Sequence, residues 1–204
     1  MGLISNGSTI FDAGSMSTGF GGSLVFIKKL TASSSSTLTF VHGSSSVILD
    51  SSYKQYLFTF NNIHPSSSTS YFQVNMSTDG GSNYNVPKTT SWFQSYNAEN
   101  ASFQGLGFNS SRVVEQGQNY ADISTTMTTN SDLSLSGTLQ IFDPASTTFV
   151  KHFIARANHM TDNPASNDAF CGGYANTTSA VDTVSFRMNT GNIDAGDICL
   201  YGIA

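Results

Sequence analysis

Tyr71-Phe72-Gln73-Val74-Asn75-Met76-Ser77 alternates apolar and polar side chains without a break. Phe72, Val74 and Met76 share one face, and Tyr71, Gln73 and Asn75 share the other, which is the two-residue period of a strand with one face on a core and one in water. On a helix Val74 would point away from Phe72 and Met76. The run continues into Asp79-Gly80-Gly81-Ser82-Asn83-Tyr84, whose glycines can take positive φ, and returns toward Pro87, so the stretch predicts a hairpin.

The same reading works outward in both directions. Leu24 to Leu30 leads through the serine run Ser33 to Ser36 into Thr37 to Gly43, two β-rich segments that predict another hairpin. Tyr53 to Ile63 places Tyr56, Phe58 and Phe60 on one face and ends at His64-Pro65, because proline supplies no ladder donor. Thr90 to Tyr96 reads as a strand, and Asn97 to Gln118 is the least regular stretch of the domain, an excursion of the kind that is often functional. Strand character returns at Ala121 to Thr129, Leu135 to Phe142, Thr148 to Ala157, Ala169 to Asn176 and Val181 to Met188, with turns at Asp143-Pro144 and Asn163-Pro164. The final twenty residues, Ser185 to Ala204, read as strand, glycine-punctuated turn and strand, a closing hairpin. Its last segment, Ile198 to Ile203, is expected to be a core strand packed at its end, with Cys199 a buried thiol.

About ten to twelve short strands with no amphipathic helix predict an all-β, antiparallel β-sandwich, jelly-roll-like, over residues 24 to 204. Residues 1 to 23 are different: glycine-rich, with isolated apolar side chains and no sustained period. They are expected to form an extended attachment arm anchored by Leu3, Ile4, Ile10, Phe11 and Phe20.

Composition narrows the function. Charged residues are only 10 % of the chain and the net charge is -5, so the surface is rich in hydroxyls and amides, and no cationic cluster offers a nucleic-acid footprint. No apolar run approaches the roughly 18 residues that span a bilayer, and no secretory leader pattern opens the chain, so no membrane partner is expected and synthesis in a cytoplasm is. Cys171 and Cys199 lie in apolar, strand-like settings; two reduced thiols outweigh a disulfide there, although spacing leaves the pairing open.

Catalysis needs titratable groups that converge. His42, His64, His152 and His159 read as polar strand or loop residues, and no His-x-x-x-His, Cys-x-x-Cys or Gly-x-Ser-x-Gly spacing occurs. Nothing singles out a carboxylate pair among Glu99, Glu115, Asp122, Asp162, Asp168, Asp194 and Asp197. The expectation is a protein that is not an enzyme and has no metal or other cofactor. Ligand recognition is better sought among aromatics beside amides, which suit a glycan: Trp92, Tyr96 and Tyr84 are the candidate contacts, with Tyr120 and Tyr174 behind them.

Two resemblances add to this. Ser77 to Tyr84 resembles a single Asp-box, which implies that Asp79 caps the turn and that the aromatic packs beneath it; Asn83 stands where that motif usually has Thr. Lys29-Leu30-Thr31-Ala32-Ser33-Ser34-Ser35, Tyr56 to Pro65, Asp79-Gly80-Gly81-Ser82 and Gly191 to Gly202, in that order and spacing, resemble a family of small virion proteins of tailed phages, especially those of marine and cyanobacterial hosts. The resemblance spans nearly all of residues 24 to 204. It implies a non-enzymatic structural protein of the bacteriophage virion, a capsid decoration or cement protein with other virion proteins as partners and a homotrimeric state. The alternative is a tail-fibre or receptor-binding tip that recognises a host surface glycan.

Overall fold

The computed structural model describes Leu3–Ser5, Ser8–Asp12, Ser15–Met16 and residues 23–204. The first three segments, β1 (Leu3–Ser5), β2 (Ser8–Asp12) and β3 (Ser15–Met16), pair with one another as a small antiparallel sheet, with Leu3 opposite Phe11 and Phe11 opposite Met16. Of the five expected arm anchors, Phe20 lies outside the described residues, and the Ile4 side chain is exposed.

The rest of the chain runs β4 (Leu24–Thr31), β5 (Leu38–Val41), β6 (Gln55–Pro65), β7 (Phe72–Ser77), β8 (Lys88–Ala98), β9 (Gln104–Phe108), a 3₁₀ turn at Ser110–Arg112, β10 (Ala121–Asp122), β11 (Leu135–Phe142), β12 (Lys151–Met160), β13 (Ala165–Ala175), β14 (Thr183–Met188) and β15 (Ile193–Ile203). Eight strands form one antiparallel sheet in the order β4-β15-β6-β11-β12-β13-β8-β9, and four form a second in the order β10-β7-β14-β5. The chain is an antiparallel β-sandwich, as its alternation predicts. Among the described residues no helix is long and apolar enough to cross a membrane.

Phenylalanines join the two layers. Phe58 and Phe60 of the large sheet meet Phe40, Phe72 and Phe186 of the small one, and Phe186 lies within 5.3 to 6.3 Å of the other four rings. All five are buried, and each contributes about 1.5–3 kcal/mol through removal from water. Phe72, Val74 and Met76 face this core as the alternation predicts, while Gln73 stays on the outer face.

The three predicted hairpins are corrected by the sheet topology. β4 pairs with β15 while β5 pairs with β14. β7 and β8 lie in different sheets, and so do β14 and β15. Each of these connections crosses the sandwich instead of reversing within one sheet. Within the sandwich, the hairpins that do form join β8 to β9, β11 to β12 and β12 to β13. Turn residues specify where a chain bends; which strand it then joins depends on burying whole apolar faces.

The glycine turn after β7 forms without its hairpin. Gly80 and Gly81 have φ of 72° and 84°. The Asp79 carboxylate accepts from Ser77 Oγ, Asn83 N and Asn83 Nδ2, and these bonds hold its pKa down at about 2. Asp182, just before β14, accepts from Gly80 N and ties the turn to the small sheet.

Two further readings change. The strand expected over Ala121 to Thr129 is paired only at Ala121–Asp122, with an isolated bridge from Met127 to Ser70. Ser124 Oγ takes the Phe72 N–H, so a hydroxyl replaces a ladder carbonyl in this Thr-rich segment. The irregular stretch 97–118 contains an edge strand, β9, and the 3₁₀ turn.

The closing strand β15 sits between β4 and β6, with Ile198 and Leu200 fully buried. It bends at bulges around Ala195, where Gly196 has φ 115° and a Cβ would lie 2.6 Å from Asn62 O. Cys199 on β15 and Cys171 on β13 are both buried free thiols. Three strands separate them, roughly 19 Å at the usual inter-strand spacing, well beyond the reach of a disulfide.

Candidate functional site

The outer face of the small sheet carries a polar row set by register. Gln73 stands opposite Asp122 on one side and Arg187 on the other. Its amide joins them: Gln73 Nε2 donates to Asp122 Oδ1 at 2.7 Å, and Arg187 Nε donates to Gln73 Oε1 at 3.2 Å. Arg112, from the 3₁₀ turn, completes the chain by donating Nη1 to Asp122 Oδ2 at 2.9 Å. Both guanidinium groups lie over tyrosine rings, the Arg112 Cζ at 3.5 Å from the Tyr71 centroid and that of Arg187 at 3.8 Å from that of Tyr120.

The loop at 113–120 and this row together line an open pocket of about 420 Å³, within the range of small-molecule sites. Arg112, Arg187, Tyr120, Asn119, Glu115 and Ser111 line it. A buried lysine holds the loop in place: Lys88 Nζ donates to the carbonyls of Val86, Gln118 and Asn119, and burial lowers its pKa to about 8. Asn75 Nδ2 adds a bond to Gln118 O at 3.0 Å. The excursion singled out in the sequence is therefore latched at its far end by two side chains.

On the other side of Arg112 lies a second cavity of about 400 Å³, bordered by Thr125, Thr128 and Asn167. Arg112 Nε, Thr128 Oγ1 and Asn167 Oδ1 are buried there without a protein partner. His159 Nε2 bonds Thr125 Oγ1 at 2.9 Å, and burial pushes this imidazole down to about 4, so it is neutral at physiological pH.

The candidate glycan contacts are redistributed. Trp92 is fully buried and donates Nε1 to Asp122 O, so it supports the site from the core and cannot meet a ligand. Tyr96 packs its hydroxyl against Gly105 on the β9 edge, away from the cavity. Tyr84 stands behind Tyr120, 5.9 Å between ring centroids. Tyr120 itself lines the cavity, and Tyr174 accepts from Gln116 Nε2 outside it.

The acids do not converge. Glu115 and Asp122 border the first cavity, but Asp168 pairs with Arg156, Asp197 with Lys29, and Asp162 accepts from Asn130. Among the described residues no three His, Cys, Asp or Glu side chains come close enough together to hold a metal ion. Gln73, Arg112 and Arg187 had no signature in the sequence beyond lying on polar faces, because cross-strand register alone brings them together.

A second surface feature lies on the outer face of the large sheet. Register aligns Phe108, Phe93, Phe170 and Arg156 across four adjacent strands. Phe93 stacks on Phe170 at 4.6 Å, and Arg156 covers the same ring at 4.9 Å. The next row runs Ile154, Gln140, Leu57, Tyr201 and Phe26, apolar except at Gln140. Leu106, Phe108, Ile154 and Phe26 are 74 %, 64 %, 57 % and 57 % exposed. The β9 edge bears no charge, whereas the opposite edge, β4, carries Lys28 and Lys29.

No family model matches this chain, and neither the curated proteins nor the solved structures compared with it gave a match.

Proposed function

We propose that this chain is a non-enzymatic structural protein of a bacteriophage virion, a capsid decoration or cement subunit on the particle surface that associates as a homotrimer with other virion proteins as neighbours. The observation that carries the reading is the outer face of the large sheet, where two largely apolar rows, interrupted by Arg156 and Gln140, leave Phe26, Phe93, Phe108 and Ile154 exposed. Apolar area of this kind is stabilised by about 25 cal/mol for each Å² a neighbouring subunit removes from water. The uncharged β9 edge offers backbone pairing to the same neighbour. The sparse charge and Ser/Thr/Asn-rich surface suit a protein that must pack densely without nonspecific adhesion, and the resemblance of its ordered motifs to those of small virion proteins supports the particle as its setting.

Imaging of phage particles carrying a labelled copy of the chain tests this. Regularly spaced label on the capsid supports the reading, and particles without label overturn it. Deleting residues 1–23 tests the attachment arm: binding to undecorated particles should be lost while the sandwich stays folded.

A receptor-binding tip is the second reading, favoured by the latched polar cavity beneath the 113–120 loop. Label at the tail tip, with host adsorption blocked by free sugar, supports it over the first.

A further inference from the structure

We propose that the cavity beneath the 113–120 loop binds the carboxylate of an acidic saccharide, with Arg187 as the charged contact. The inference rests on the receptor-binding reading and names its ligand class.

Three arginines occur in the chain. Arg112 pairs with Asp122 and Arg156 with Asp168, while Arg187 faces no carboxylate among the described residues. Its Nε is engaged by Gln73 and its guanidinium carbon lies over the Tyr120 ring. The two Nη groups have no protein acceptor among those residues. A guanidinium held by these two contacts with its terminal nitrogens unoccupied matches the bidentate geometry of a carboxylate.

The remaining walls select among anions. Asn119, Ser111 and Gln73 provide both donors and acceptors, as sugar hydroxyls require, and Val113, Val114 and the Tyr120 ring give an apolar surface on which the C–H face of a sugar can pack. Glu115 and Asp122 also line the pocket, and their charge opposes a dianion such as phosphate more strongly than a monoanionic carboxylate, while Glu115 can accept hydrogen bonds from hydroxyls. Lys88 and Asn75 hold the loop before any ligand arrives, so little ordering opposes binding.

Saturation-transfer NMR and titration calorimetry on the full chain test the proposal with glucuronate, galacturonate and N-acetylneuraminate, against glucose, galactose and inorganic phosphate. At least one acidic sugar should bind, and Arg187→Gln should weaken it tenfold or more, while Arg156→Gln on the opposite sheet leaves it unchanged. Asn119→Asp, which adds a carboxylate to the cavity without touching the contacts of Arg187, should weaken it comparably, and this covers the case in which Arg187→Gln perturbs folding. Undiminished binding of an acidic sugar to folded Arg187→Gln overturns the proposal, as does phosphate binding in preference to every sugar. Neutral sugars binding as well as acidic ones overturns the carboxylate contact but leaves the receptor-binding reading standing. If no sugar binds, both fall.

Discussion

The rings of Phe58 and Phe186 meet edge to face at 5.3 Å, one from each sheet, and Phe186 touches four other buried phenylalanines in all. Truncating it opens a cavity on which both layers close. Phe186→Ala should therefore cost about 3–5 kcal/mol, read as a shift in the urea midpoint. A loss below about 1 kcal/mol would mean that the layers collapse around the gap.

Lys88 secures three carbonyls with one ammonium. Lys88→Met preserves most of the volume and leaves those acceptors buried without a donor, which costs about 1–3 kcal/mol. Because Gln118 and Asn119 are among them, amide exchange should speed up in the 113–120 loop more than in β6. Uniform acceleration would assign Lys88 to global stability alone.

His159 sets an acid limit. The folded state keeps it neutral down to about pH 4, whereas the unfolded chain takes up the proton near its ordinary value of 6.5. Below 6.5 the unfolded state binds more protons, so stability falls with pH by about 3 kcal/mol in total on reaching pH 4. His159→Gln should flatten that slope in denaturation curves taken at pH 7, 5.5 and 4.5. Asp79, held at about 2, contributes stability that is lost only as pH falls from 3.8 through about 2, below this window.

On the outer sheet, Phe108→Ser combined with Ile154→Ser should change monomer stability by no more than about 0.5 kcal/mol for each site, since both side chains are largely exposed. Self-association should be lost, with sedimentation equilibrium showing a monomer where the parent chain gives an oligomer. Equal association of both proteins would place the interface elsewhere.

Cys171 is buried and its thiol is pushed up to about 12, and Cys199 is also buried. Neither should react with iodoacetamide in the native state, and both should react after unfolding. A reducing agent should leave the denaturation midpoint where it is, and a shift would reveal a bridge.

The strands of this protein and their buried faces were legible one segment at a time. The period of two is a local property, so Phe72, Val74 and Met76, like Tyr56, Phe58 and Phe60, declare their shared face without reference to any partner. The asparagine- and glycine-rich turns were equally readable, but the choice of the next sheet was not. The segments on either side of Asp79-Gly80-Gly81 look like two halves of a hairpin, yet residues 83–87 form no strand and the next strand, β8, belongs to the opposite layer.

The candidate site depended still more on tertiary structure. Gln73 meets Asp122 across 49 residues of chain and Arg187 across 114. Trp92 and Tyr120 both read as aromatics beside polar residues, yet one is core and the other lines the cavity. Side-chain alternation is written into neighbouring residues and survives in the bare sequence. Strand order and register follow from burying two complete apolar faces against each other, a balance over the whole chain that only the folded sandwich resolves.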